Sequence, residues 1–218
     1  MLGQLAVEEK SNEITAIPKL LELLDLDKTT VTIDAMGCQW KIAETIVEGG
    51  GDYILQVKDN QPTLRENLEL FFAEAMRNDC HGVAYDYATR TNKGHGRIET
   101  RRCWTSWEVR GLAAEEDSWR GLQSVVCVER RRQIGDEVSR ERHYYISSLP
   151  GRSAAEMSRK IRSHWGVENR LHWCLNVQMN EDACRIRKGH AAENFSRLRR
   201  MALNQLKKDK TIKLGLRG

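Results

Sequence analysis

Apolar side chains follow two different periods in residues 1–60. They recur at helical spacing in 14–24 and in 42–47, whereas 31–33 are all β-branched and 53–57 are mostly apolar. The first pattern is typical of amphipathic helices and the second of buried strands. With a further strand predicted in "GQLAVEEK" at 3–10, the order is strand, helix, strand, helix, strand. This order predicts βαβ units and a mainly parallel sheet.

The pattern changes twice farther along the chain. An amphipathic helix is predicted in 61–79, and 83–149 then alternates short β-like segments with Gly-containing turns. That alternation predicts antiparallel strands of ordinary length. After Pro150 the spacing is helical again through 153–179 and 189–208, and the tail is expected to be loose.

Composition narrows the class of protein. Hydrophobic residues make up 40% and charged residues 30% of the 218 residues, as in globular proteins. No apolar run approaches the roughly 20 residues that cross a bilayer, and the N-terminus lacks the order of a signal peptide. A cytoplasmic protein without a membrane partner is therefore expected. The six cysteines form no C-x-x-C pair, which favours reduced and mostly buried thiols over a zinc ribbon or a disulfide framework.

Charge is unevenly distributed along the chain. Residues 1–150 carry 19 Lys and Arg against 25 Asp and Glu, whereas 151–218 carry 16 against 6. A basic C-terminal third favours a polyanion such as nucleic acid as partner. The alternative is a solvated helical surface, because Lys and Arg are good helix formers.

Asp34 directly follows the β-branched strand, where a carboxylate is costly to bury unless it is paired, hydrogen-bonded or bound to a metal. Far away in the sequence, a helix over 161–173 would place His164, Glu168 and His172 on one face. Three interpretations of this row stay open. Glu168 joins Asp34 in a divalent-cation site, the His–Glu–His row binds zinc, or the row is an ordinary polar face above a tryptophan-bearing core face.

A second polar cluster is "NKGHGRIETRR" at 92–102, where two glycines surround His95 and indicate a tight loop. Arg97, Arg101 and Arg102 suit phosphate groups, since guanidinium groups match their geometry. The alternative is a Gly-rich hairpin with solvated charges. The motifs of a nucleophile elbow, a phosphate loop and a dinucleotide loop are absent.

Six segments follow one another along the chain: "VTIDAMGCQ", "GDYILQVKDNQ", "GHGRIETR", "YYISSL", "IRSHWGVENRLHW" and "NEDACRIRKGHAAEN". In this order they resemble the DDE transposases of bacterial insertion sequences, in the branch of H-repeat-associated proteins. The resemblance implies an α/β fold with a ribonuclease-H-like mixed sheet flanked by helices, a β-rich insertion before the last catalytic helix, and missing N-terminal core strands. The implied domains are a partial ribonuclease-H-like core at 1–82, the β-rich insertion at 83–149, C-terminal helices that complete the core at 150–207, and a tail at 208–218.

The same resemblance implies a metal-dependent enzyme that cuts DNA and joins it to a target. Asp34 matches the second acid of the family and Glu168 the third, and the intact site holds two Mg²⁺ or Mn²⁺ ions. The implied partners are the DNA of the element ends and of the target, with a homo-oligomer as a further expectation. The implied DNA-binding candidates are His95, Arg97, Arg101, Arg162, His164, Asn169, Arg170 and His172.

Three departures from the family pattern bear on activity. The first acid of the family lies on a strand that would precede this sequence, which indicates an N-terminally truncated copy. Asn176 stands where the family usually has Asp, and Ile161 and His164 stand where related transposases have Tyr and Arg. The expected function is therefore that of a transposase fragment, inactive alone because the first catalytic Asp is absent. The alternative is a non-catalytic DNA-binding module or an inhibitor of the intact transposase.

Overall fold

The computed structural model describes residues 13–94, 96–113, 119–167, 171 and 173–209, so the strand expected at 3–10 lies outside the described residues. The elements in chain order are α1 (Glu13–Leu21), β1 (Thr30–Ile33), a 3₁₀ turn (Ala35–Gly37), α2 (Trp40–Glu48), β2 (Asp52–Val57), α3 (Pro62–Arg77), β3 (Tyr85–Gly94), β4 (Arg97–Ser106), β5 (Ser124–Ile134), β6 (Glu137–Ser147), α4 (Ala154–Val167), a π-helical segment (Cys174–Gln178) and α5 (Ala191–Lys208).

The six described strands form one mixed sheet in the order β1-β2-β6-β5-β4-β3. β1 and β2 are parallel and are joined through α2, as the βαβ prediction requires. Every other pair of the described strands is antiparallel, so the prediction of a mainly parallel sheet is wrong. The antiparallel strands predicted in 83–149 join the same sheet through the pairing of β6 with β2. At 10 or 11 residues each, β3 to β6 are longer than the strands of ordinary length that were predicted. The expected mixed sheet flanked by helices is thus confirmed, while the division into domains stays a prediction.

The sheet separates two hydrophobic clusters, because side chains alternate between its faces. On β2, Tyr53, Leu55 and Val57 pack in one cluster with residues of α1, α2 and α3. Ile54, between them in sequence, packs in the other cluster with α4. A strand buried on both faces explains why 53–57 is almost continuously apolar.

Helix α4 lies on the second face of the sheet through a stripe formed by Ala154, Met157 and Ile161, at 5% exposure or less. This spacing is that of one face of an amphipathic helix. The Ala154 N–H donates a 2.8 Å hydrogen bond to the Asp86 carboxylate of β3, which satisfies one of the unpaired donors at the start of the helix. The path into α4 turns at Gly151, whose φ is +65°.

The C-terminal elements form a small cluster of their own, in which Leu203 of α5 packs with Cys174 and Leu175. All six cysteines are free thiols, and Cys38, Cys103, Cys127 and Cys174 are buried, as expected. Among the described residues, no helix is both long enough and apolar enough to span a bilayer.

We predict that Gly151→Ala destabilises the fold more than Gly135→Ala, by about 1–3 kcal/mol of overpacking. Both glycines have positive φ, +65° and +55°, so both substitutions carry the same backbone strain. A Cβ at 151 would lie 2.4 Å from the Ser124 Cβ and 2.7 Å from the Thr105 Oγ1, whereas one at 135 meets no atom within 4 Å. Urea unfolding of both variants measures the difference, and equal losses of unfolding free energy would show that Gly151 is needed only for its backbone conformation.

Candidate active site and basic cleft

Asp34 lies directly after β1, at the carboxyl end of the parallel pair of strands. Its side chain is exposed, and its backbone is extended, with φ −69° and ψ −177°. Extended residues continue the alternation of a strand, so Asp34 has the parity of Thr30 and Thr32. Thr30 and Thr32 contact α4, so this parity is that of the face on which α4 packs.

The loop after Asp34 is held by two amide side chains from the end of β2. Asn60 Nδ2 donates hydrogen bonds to the carbonyl oxygens of Ala35, at 2.7 Å, and of Cys38, at 3.3 Å. Gln61 Nε2 donates to the same Cys38 oxygen at 3.0 Å. The sequence alone does not predict these contacts. The available signal was that both follow the strand parallel to β1, and the ends of such strands lie side by side.

Two hydrogen bonds connect α4 with β1. Lys160 Nζ donates to Thr30 Oγ1 at 2.8 Å, and His164 Nδ1 shares a 3.3 Å hydrogen bond with Thr32 Oγ1. The predicted site residue His164 is therefore brought to within two positions of Asp34 along the same face of β1. The sequence separation of His164 and Thr32 is 132 residues, so this proximity results from the packing of α4 on the sheet.

Several predicted site residues lie outside the described residues, namely Glu168, His95, Asn169, Arg170 and His172. Their roles, including the zinc interpretation of the His–Glu–His row, stay predictions. Within the described parts of the chain, no three His, Cys, Asp or Glu side chains are grouped so as to hold a metal ion.

One interpretation of the His–Glu–His row was an ordinary polar face above a core face that bears tryptophans. The prediction of that core face is wrong. Trp165 and Trp173 are 47% and 51% exposed. The core positions of α4 are taken by Ala154, Met157 and Ile161, and Trp165 follows His164 at the border of that stripe. Trp165 consequently lines a cleft between α4 and the sheet.

This cleft has a volume of about 910 Å³ and is strongly basic. Its lining includes one acidic side chain, Glu99, among the residues that the structure describes. The basic side chains come from β3, β4, β5 and α4, and are Lys93, Arg97, Arg101, Arg130, Arg159 and Arg162. The predicted residues Arg97, Arg101 and Arg162 are thus brought together in one cleft, which we call the basic cleft.

Arg101 shows how crowded the positive charge is. Burial and the guanidinium groups of Arg162, Arg130, Arg90 and Arg97 lower the pKa of Arg101, although its side chain forms an ion pair with Glu99. The hairpin of the alternative interpretation is present, since Gly94 pairs with Arg97. Its charges are not all solvated, because the Arg101 side chain is only 23% exposed. An anion with several charges would relieve this repulsion.

On the opposite face of the same strands, a buried carboxylate pairs with two arginines. Glu129 of β5 is 4% exposed and accepts hydrogen bonds from Arg102 at 3.3 Å and from Arg142 Nε at 3.0 Å. Buried charges are tolerated when they are paired in this way. Arg102 therefore has a structural partner and does not belong to the basic cleft, whereas Arg101, its neighbour in sequence, does.

The comparisons with known proteins agree with one another on the family. The family model described as "Transposase DDE domain" matches residues 1–205. The chain is 42% identical over 224 residues to the H repeat-associated putative transposase YhhI of Escherichia coli (strain K12), covering 100% of this chain and 57% of that protein. It is 44% identical over 220 residues to the putative transposase YncI of Escherichia coli O157:H7, covering 100% and 55%. The chain thus spans little more than half the length of these relatives, and no solved structure matches it.

We predict that Asn60→Ala lowers the free energy of unfolding by about 1–2 kcal/mol, because the Ala35 carbonyl loses its amide donor. The matched control is Asn78→Ala, whose amide donates only to an exposed carboxylate, that of Glu74, and which should change stability by less than about 0.5 kcal/mol. Equal effects of the two substitutions in urea unfolding would contradict a role for Asn60 in holding the loop.

Proposed function

The chain belongs to the transposase DDE domain family, and from this premise we propose that it binds DNA in the basic cleft and holds a divalent metal ion with Asp34 and Glu168. The proposed fold around that site is ribonuclease-H-like. A role in DNA transposition agrees with membership of this family. The assignment of individual metal ligands and DNA-binding residues is our proposal.

The observation that carries the metal site is the matched spacing of α4 and β1. Lys160 and His164 are four residues apart on the helix, and their partners Thr30 and Thr32 are two apart on the strand. Four helical residues rise about 6 Å and two strand residues about 6.6 Å, so the two elements advance in nearly equal steps.

One further step leads from Thr32 to Asp34 on the strand and from His164 to Glu168 in the sequence. The two hydrogen-bonded pairs therefore support a third pair, formed by the two carboxylates. Glu168 lies outside the described residues, so this pairing is part of the proposal.

The donor set suits a hard cation. Carboxylate oxygens are the ligands that Mg²⁺ and Mn²⁺ prefer, and the exposed Asp34 carboxylate at a strand end is accessible to a hydrated ion. A bound divalent ion would supply charge stabilisation for phosphoryl transfer, for which the family site is expected to hold two ions. In this proposal Asp34 and Glu168 bind and orient the ion, while Lys160 and His164 hold α4 in register with β1.

DNA is the polyanion that we propose for the basic cleft. Arginine forks match phosphate oxygens, and six basic side chains around one cleft provide the electrostatic attraction that dominates DNA affinity. The cleft and the end of β1 share the face of the sheet covered by α4, since His164 contacts β1 and Arg162 lines the cleft. A phosphate backbone held in the cleft would therefore lie near Asp34.

Catalysis by this chain alone is a separate matter. The family mechanism is expected to use three acids, and the proposal assigns two. We propose that the chain binds DNA and metal without cutting the strand, either as a fragment of a transposase or as a binding module that competes with the intact enzyme. The basic cleft supports DNA binding without strand cleavage, because the cleft forms without a third acid.

The metal site predicts that Asp34→Asn and Glu168→Gln each weaken Mn²⁺ binding at least about tenfold, a loss of about 1.4 kcal/mol. Titration of the purified chain followed by electron paramagnetic resonance of free Mn²⁺ measures this. The matched control is Asp27→Asn, an exposed aspartate that forms an ion pair with Lys28 at 3.5 Å. Wild-type Mn²⁺ affinity in Asp34→Asn would contradict the proposed site.

The same variants test catalysis. We expect no Mg²⁺-dependent nicking of supercoiled or linear DNA by the wild-type chain. Robust nicking that is lost in Asp34→Asn would show that the chain is itself an active nuclease, and would refute the binding-only role.

The basic cleft predicts DNA binding that weakens steeply with salt. The double variant Arg97→Gln, Arg162→Gln should reduce the slope of log affinity against log salt by about 2, since each lost phosphate contact removes about 0.9. Fluorescence anisotropy with a labelled duplex measures the slope. Arg77→Gln, on α3, is the control, because Arg77 pairs with Glu74 away from the cleft. An unchanged slope in the double variant would place the DNA elsewhere on the molecule.

A further inference from the structure

His143 is a titratable residue of the basic cleft that the proposed function has not used. It lies on β6, lines the cleft, and has a side chain that is 29% exposed. On the same face of the sheet it contacts Gln56 of β2, a residue that is only 5% exposed. The parallel register of β1 and β2, which ends with the Ile33–Leu55 pair, sets Gln56 beside the position of Asp34.

The contact with Gln56 favours one tautomer of the neutral imidazole. Gln56 Nε2 lies 3.2 Å from His143 Nδ1, and an amide nitrogen can only donate. In this arrangement Nδ1 is the acceptor, and the neutral ring carries its proton on Nε2. A second proton can bind at Nδ1. Rotation of the Gln56 amide would then place its oxygen, an acceptor, against Nδ1–H.

Charged groups from several elements surround His143. Burial lowers its pKa below the ordinary value of 6.5, Glu141 on the same strand raises it, and Arg130 of β5 and Lys58 after β2 lower it. Arg101 and Glu99 of β4 and Arg159 and Arg162 of α4 line the same cleft. The Glu141 carboxylate is 3.7 Å from His143 Nε2 and is 50% exposed, so it opposes the cations only in part. The free protein consequently holds a neutral His143 near pH 7.

We propose that His143 is a proton-dependent phosphate ligand of the basic cleft, so that DNA binding takes up a proton at this residue. This rests on the proposed function, because the anion is the DNA phosphate backbone. A phosphate among these cations replaces repulsion by attraction at the imidazole and favours its charged form. The protonated ring then donates from Nε2 to a phosphate oxygen.

The sign of the pH dependence follows from linkage. The pKa of His143 is lowered in the free protein and rises in the complex, so the complex binds more protons than the free protein between these two values. DNA affinity therefore increases as the pH falls through this window, and it becomes constant below the pKa of the free protein. A neutral amide at 143 cannot take up the proton.

The experiment is anisotropy titration of a labelled duplex at constant ionic strength between about pH 8 and pH 5.5. We expect the affinity of the wild-type chain to increase about threefold to tenfold, up to the tenfold that one unit of pKa shift provides. His143→Gln should lose most of this increase, whatever its affinity at pH 8. The control His190→Gln should behave like the wild-type chain, since His190 is 91% exposed and lies outside the cleft.

A second measurement separates this inference from the proposed function. The His143 ring resonances, followed by NMR, should titrate below pH 6.5 in the free chain and at higher pH when the duplex is present. DNA binding with the same pH dependence in His143→Gln, or a His143 pKa that DNA does not raise, overturns the role of His143 alone. Absence of DNA binding at every pH overturns the proposed function together with this inference.

Discussion

The packing of α4 across the sheet is the contact on which the candidate site depends. Burial of the stripe Ala154, Met157 and Ile161 supplies the attraction, at about 25 cal/mol per Å² of apolar surface. The hydrogen bonds of Lys160 and His164 to β1 add only about 1 kcal/mol each, but they are directional. Together, the apolar stripe sets which face of the helix meets the sheet, and the polar pairs set its register against β1.

The second constraint is the crowding of like charge on one face of the sheet. Arg97 and Arg101 alternate with residues such as Arg102 that point to the other face, where Glu129 is buried between two arginines. On the face toward α4, Glu99 pairs with Arg101 and Glu141 with Arg130, two acids against the six basic side chains that line the cleft. A fold that concentrates an excess of cations in this way is suited to a ligand that brings several negative charges at once.

Local patterns predicted most elements correctly, because the helical and strand periods depend on neighbours in sequence. β2 and α3 agree with their predicted segments to within a few residues. Faces were harder to predict: Trp165 was assigned to a core face in one interpretation, although it borders the cleft. The contacts of the Asn60 and Gln61 amides could not be predicted, since their carbonyl partners belong to another strand end and become neighbours only in the folded chain.

The sequence by itself determined the order of the elements and the position of an acid at the end of a β-branched strand. Charge counting along the chain does not locate the basic cleft, because residues 1–150 carry an excess of acids and yet supply Lys93, Arg97, Arg101 and Arg130 to it. Strand alternation and the order of strands sort side chains between the two faces whatever the net charge of their segment. Which residues share the cleft, and which side chains of α4 contact β1, therefore depended on the folded sheet.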